Sequence, residues 1–388
     1  MVRALGRIAA VAAAAAWGCG ASRPADRVFV SQASSHSVAV FDAGSGAGLA
    51  RIQVGLLPHG LLLSPDRRTL YVALTGSQAV AEIDVGQLSV RRTLLTAPVP
   101  ARRANGTVNQ AHLDAGAFQG HASCADCHTG GPGGALPAYV GARPFGMALS
   151  ADGARLLVSH LRPPEPDRLG LEPGSIAVLD LATGQVERTV PLALSGVATE
   201  AVALAFVGTE LWVAIRPNQP SSSPGLVRRL DAATLAPLGD AATGSDPVCI
   251  LPLPERGTAL VSNFEADTVS ERAAGGALVR DLAAAPGPLG LLRLPGGDTV
   301  LALDYYSNAL TFLDLGGGPS TTVPLGDPAA AWPNPTNAAL ASDGGSAWLV
   351  SGGTAGRLLQ LDLGTRQVVR DLPLDGLSFG VAVVPGTP

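Results

Sequence analysis

The chain of 388 residues carries 26 basic and 31 acidic side chains, a net charge of −5, and four cysteines. Its 48 glycines and 31 prolines are too dense for long helices, which excludes a helical bundle, and 47% apolar residues supply a core. Every basic residue is arginine, which excludes a Walker A loop and a Schiff-base lysine, and with no basic run nucleic acid is not an expected partner.

At the amino terminus Arg3 and Arg7 precede an apolar run from Ile8 to Ala16 that ends at Trp17-Gly18-Cys19. Positive residues before a short apolar stretch read as an export signal over residues 1–19, too short to span a bilayer. Gly18-Cys19 resembles the end of a bacterial lipobox, and that resemblance implies lipidation of Cys19. The expected location is the periplasm or cell surface, with a lipid anchor in the outer membrane, because Gly20 stands where an aspartate would favour inner-membrane retention. Ordinary cleavage nearby, with Cys19 discarded or free, is the other reading. No later segment reaches the roughly 18 apolar residues of a membrane-spanning helix.

From Val28 onward the sequence repeats. Val28-Phe29-Val30 through Phe41-Asp42 returns as Leu70-Tyr71-Val72 through Ile83-Asp84, an ungapped offset of 42 residues, and a third copy runs from Thr299 to Asp314. Short alternating runs rich in β-branched residues are separated by turn signals such as Ser64-Pro65-Asp66 and Ala151-Asp152-Gly153. About four strands per unit and a unit of this length predict the blades of a β-propeller. Asp42, Asp84, Asp180 and Asp314 recur once per unit and are expected to cap turns.

These units resemble the YVTN family of propeller repeats. The resemblance rests on Tyr71-Val72-Ala73 with Ser77 and Ile83-Asp84, on Pro58-His59-Gly60 before Leu63-Ser64-Pro65-Asp66, and on Pro144-Phe145-Gly146 before Leu149-Ser150. First strands are expected near Pro58, Pro144, Ala201, Pro247, Pro288, Pro335 and Ser378, which makes seven blades of four antiparallel strands. The last start has no hairpin after it, and Val28 to Asp42 is a hairpin with no first strand before it. Joining the two ends closes an all-β, seven-bladed propeller over residues 27–388 and removes the open sheet edges.

Three interruptions fall on one face of that ring. Residues 97–143 lie between blades two and three, 160–174 lie between strands b and c of blade three, and 216–225 hold the same place in blade four. Loops on a rigid scaffold are where binding usually resides.

The first interruption holds Cys124-Ala125-Asp126-Cys127-His128, a C-x-x-C-H sequence that resembles the attachment motif of c-type haem. It implies thioethers at Cys124 and Cys127 and His128 as the proximal iron ligand. Candidate distal ligands are His121 and His112, nearby in sequence, and Met147, which matches Leu61 in a first strand and is better explained by core packing. Two other readings stay open: a Cys124–Cys127 disulfide stapling an exported loop, and a zinc site of His121, Cys124, Cys127 and His128. His59 aligns with Phe145 and Phe379 and reads as a wall residue of the central channel, and Cys249 stands where blade two has Gly60. Gly376-Leu377-Ser378-Phe379-Gly380 matches a hydrolase elbow, but no histidine follows His160, so the triad order fails.

Two functions follow. The first is an exported propeller bearing one haem c, active in electron transfer or as the partner of a peroxidase-like cytochrome. The second is a non-enzymatic propeller lipoprotein that binds a protein, polymer or metal, with C-x-x-C-H as a clasp. A monomer with its binding face on the insertion-bearing side is expected, and no acid–base pair marks it as an enzyme.

Overall fold

A computed structural model describes residues 25–97, 143–161, 174–192, 199–217, 224–326, 334–352 and 355–386. They form seven four-stranded antiparallel sheets, the blades of a propeller. Blade two shows the plan: Pro58–Leu63 is strand a, then Thr69–Leu74, Ala79–Asp84 and Ser89–Leu95 follow as b, c and d. Strands a and b are joined by a tight turn in which Ser64 Oγ donates to Asp66 and accepts the Thr69 N–H. Asp84 closes the c–d turn by accepting the Gly86 and Gln87 N–H groups, and Asp42, Asp180 and Asp314 do the same in their blades, as their periodic spacing predicts.

Blade one is completed from both ends of the chain. Its inner strand is Ser378–Val384, which pairs with Arg27–Gln32 in the register Arg27↔Val384, Phe29↔Ala382 and Gln32↔Ser378. Neither terminal strand is left unpaired, and each blade keeps only its short inner and outer edges. The remaining inner strands are Pro144–Leu149, Thr199–Val207, Pro247–Leu253, Pro288–Arg293 and Pro335–Leu340.

Blade four departs from the expected boundaries. Its inner strand begins at Thr199, two residues before Ala201, because Thr199 and Glu200 pair with Pro217 and Arg216. Strand b therefore runs through Pro217 and strand c starts at Pro224, so both ends of the expected loop 216–225 are strand residues. Strand pairing outcompetes the turn tendency of those prolines because each sits at a strand terminus, where no ladder hydrogen bond from its nitrogen is needed. Likewise His160 ends strand b of blade three, and the C-x-x-C-H motif with His112 and His121 lies outside the described residues, as does Cys19.

The core is the set of seams between neighbouring blades. Phe29, Val38 and Val40 of blade one pack with Leu70, Val72 and Ile83 of blade two, all but excluded from solvent. Each such side chain contributes roughly 1.5–3 kcal/mol on leaving water. The b–c turns and d–a links emerge at one end of the ring, called here the mouth end; the a–b and c–d turns emerge at the other. Among the described residues no helix is long and apolar enough to cross a membrane.

Candidate ligand-binding channel

Each inner strand has a β-bulge near its start, just after the first paired residue in six blades and after Ala201, the third, in blade four. In blade two Pro58 pairs with Leu74 and the regular register resumes at Leu61, and the same shift separates Pro288 from Gly290 and Pro335 from Asn337. A bulge turns one side chain off the sheet plane. Here it places His59, Phe145, Val202, Val248, Leu289, Thr336 and Phe379, one from each blade, around the axis at the mouth end. In blades one and two the following residue is a glycine with no room for a side chain. A Cβ on Gly60 would meet the Phe145 carbonyl at 3.0 Å, and one on Gly380 would meet the His59 carbonyl at 2.6 Å. Serines on strand b complete this arrangement: Ser31 Oγ accepts the Gly380 N–H and donates to the His59 carbonyl, at 2.8 and 2.6 Å. Ser262 likewise donates to the Leu289 carbonyl of the next blade.

Three of the seven are rings in adjacent blades. His59 lies 4.1 Å from Phe145 and 4.3 Å from Phe379, centroid to centroid, with interplanar angles of 35° and 23°. The fan covers both faces of the imidazole, and burial pushes it down to about 3, so it is neutral at any physiological pH. Neither ring nitrogen has a hydrogen-bond partner among the described residues. The channel position expected for His59, Phe145 and Phe379 is thus the one the structure adopts.

The cavity enclosed at the mouth end has a volume of about 580 Å³. Its rim over blades four to seven is polar and aromatic. Arg216 is held at 2.9 Å from Glu200 and 3.1 Å from Asp246. Burial raises the Asp246 carboxyl while Arg216 pulls it back. Phe264, Tyr305 and Tyr306 pack together with centroids 4.7–5.8 Å apart, and Tyr306 donates to Glu265 at 2.8 Å. Partial burial, and then that carboxylate, push the Tyr306 hydroxyl up to about 12. Asn337 accepts the Ala338 N–H through Oδ1, which leaves its amide N–H groups unused among the described residues.

Of the sequence-derived site residues, the described part contains Met147 alone. It stands on the inner strand of blade three opposite Val158, as Leu61 stands opposite Val72, and packs against the cluster that holds Tyr71 and Leu179. Core packing is the role this placement supports, although the side chain also reaches the cavity wall. Cys249 is free, and burial pushes its thiol up to about 11, which makes it a poor nucleophile. Sequence reasoning missed the rim residues Arg216, Tyr305 and Asn337. Aligned on the first proline of each inner strand, Asn337 occupies the place of Gly60, and a polar side chain there is the one signal in the sequence that marks it.

Just behind the rim lie two buried titratable groups at the end of strand b. His160 has Nδ1 3.0 Å from Ser175 Oγ and Nε2 3.0 Å from Thr96 Oγ1, so both nitrogens are engaged and neither is free to bind a metal. Asp304 takes a 2.7 Å hydrogen bond from Thr311 at Oδ2, while Oδ1 has no partner among the described residues. Burial pushes the Asp304 carboxyl up to about 7. No group of three or more His, Cys, Asp or Glu among the described residues could hold a metal ion.

No family model and no curated protein matches this chain. Solved propellers do. The periplasmic gluconolactonase PpgL of Pseudomonas aeruginosa is similar with a TM-score of 0.63 at 15% identity, covering 93% of this chain and 99% of that one. Dihydro-heme d1 dehydrogenase NirN, in a structure in complex with DHE, gives a TM-score of 0.56 at 14% identity, covering 92% of this chain and 75% of that one. Hydrazine synthase of Kuenenia stuttgartiensis gives 0.57 at 15% identity, covering 89% and 92%. At such identities the likeness concerns the fold: this chain is an all-β, seven-bladed propeller built as theirs are.

Proposed function

We propose that the chain is an exported propeller that carries one c-type haem on its inserted segment and passes electrons between protein partners, a peroxidase-like cytochrome being the expected one. The observation that carries this reading is the C-x-x-C-H sequence at Cys124, Cys127 and His128, set between inner and outer strands of neighbouring blades. Ala97 and Arg143, which bracket the segment, belong to the mouth end, and Arg143 accepts the Leu161 N–H at 3.0 Å there. A bound haem would supply one-electron redox chemistry. The propeller would supply the rigid platform and, through Cys19, attachment at the periplasmic or cell-surface side of the outer membrane. The likeness to NirN and hydrazine synthase lends this reading context but not residues. A haem stain on a denaturing gel, comparing wild type made with an active maturation system against Cys124→Ala/Cys127→Ala, tests it. Covalent haem in wild type alone is expected; its absence from wild type overturns the reading.

The second reading is a binding propeller without redox chemistry, in which the motif is a disulfide or zinc clasp. The observation that favours it is the channel cavity, which stands on described residues alone.

A further inference from the structure

We propose that the cavity at the channel mouth is a binding site for an uncharged, flat aromatic molecule bearing carbonyl or ring-nitrogen acceptors. This inference does not rest on the haem. Its volume of about 580 Å³ lies within the range of small-molecule sites, which are mostly apolar with a few converging polar groups. Which polar groups converge is decided by what is already spent. Around the mouth, His160 uses both nitrogens, Arg216 is held by two carboxylates, Thr336 Oγ1 lies within hydrogen-bond reach of two carbonyls, and Tyr306 serves Glu265. Three side chains facing the cavity keep unused capacity among the described residues: the imidazole of His59, the amide N–H groups of Asn337 and the hydroxyl of Tyr305. Asn337 can only donate through that amide nitrogen, and a neutral imidazole and a phenol can each donate too.

The walls ask for the same chemistry. His59 has both faces covered by Phe145 and Phe379, so the fan offers ring edges to a ligand. Ring edges carry partial positive charge and favour a π-face or an acceptor oxygen. The opposite arc, Val202, Val248 and Leu289, is aliphatic and suits a flat apolar surface. Charge does not favour an anion: Arg216, the charged side chain that lines the cavity, is paired with Glu200 and Asp246, and Glu265 lies behind Tyr306, so carboxylates outnumber the guanidinium near the rim.

Titration calorimetry on the whole chain with lumichrome, a neutral fused-ring heteroaromatic with carbonyls and ring nitrogens, tests this. Anthraquinone-2-sulfonate serves as the charged comparator. Saturable binding of one lumichrome per chain is expected, with the sulfonate at least about tenfold weaker. His59→Phe keeps the fan and removes both nitrogens, and Tyr305→Phe removes one hydroxyl; each should weaken lumichrome about three- to tenfold, as should Asn337→Ala, the scale of one lost hydrogen bond. Melting curves of the three variants check that the ring is intact. No saturable lumichrome binding by wild type, equal binding of the sulfonate, or affinity unmoved in all three intact variants would each overturn the proposal.

Discussion

Blades three and six are the same structure holding opposite chemistry at one place. His160 pairs with Pro144 at the end of strand b, and Asp304 pairs with Pro288 at the same point of its blade. Both are fully excluded from solvent. The histidine has a hydroxyl on each nitrogen, whereas the carboxyl has Thr311 on one oxygen and nothing on the other among the described residues. Blade five puts Asn263 at this position, and blade seven puts Ser351 there. The repeat therefore dictates backbone and apolar seams but leaves this buried position free to vary, and each blade solves its polar burial separately. A solution that is complete stabilises; one that is half complete is a reserve of instability.

The bluntest way to break the comparison is to remove what both blades lean on. Deleting residues 374–388 takes away the inner strand of blade one and exposes two strand edges. Calorimetry should then show loss of the single cooperative transition, with blades three and six failing together; a truncated protein melting like the intact one would show that the blades stand alone. Next in size, His160→Leu leaves Thr96 and Ser175 without the imidazole and should cost about 2–3 kcal/mol in urea unfolding.

The two positions should also respond to pH with opposite sign. The imidazole of His160 is held at about 3, below its ordinary 6.5, so below pH 6.5 the unfolded chain binds its proton first and stability falls as the medium is acidified. Asp304 is held at about 7, above its ordinary 3.8, so between those values the unfolded chain loses its proton first and stability falls as pH rises. Asp304→Asn, which copies Asn263 of blade five, should raise stability at pH 8 by about 1–2 kcal/mol and leave it unchanged near pH 4. Melting the variant and wild type across pH 4–8 checks this; parallel curves would refute the assignment of the slope to Asp304. The smallest effect is expected from Thr311→Val, which removes the hydroxyl on Asp304 Oδ2 and should lower stability at pH 8 by about 1 kcal/mol.

The architecture was readable because it is periodic. The interval from Asp42 to Asp84, and the prolines at 58, 144, 247, 288 and 335, mark strands and turns that the ring repeats, and closure followed from a hairpin without a first strand. The site was readable only in part. His59, Phe145 and Phe379 share a place in the repeat, so their common channel position could be inferred from alignment. The grouping of Arg216, Tyr305 and Asn337 could not, because what unites them is the mouth end of three different blades rather than any spacing along the chain. The boundary error in blade four has the same origin: prolines at 217 and 224 signal a loop locally, and the pairing of Thr199 and Glu200 with the end of the following strand decides otherwise.

The pairing of Arg27 with Val384 sets how the molecule is oriented by whatever holds it. Strand b of blade one starts at the turn end, where Asp26 accepts the backbone N–H and hydroxyl of Ser342 in a turn of blade seven. A tether entering at Ala25 would therefore reach the face opposite the mouth, and along the axis the propeller would stand on it like a cup on its base. Bound to a surface through its amino-terminal side, the ring would turn the mouth end outward, toward arriving molecules.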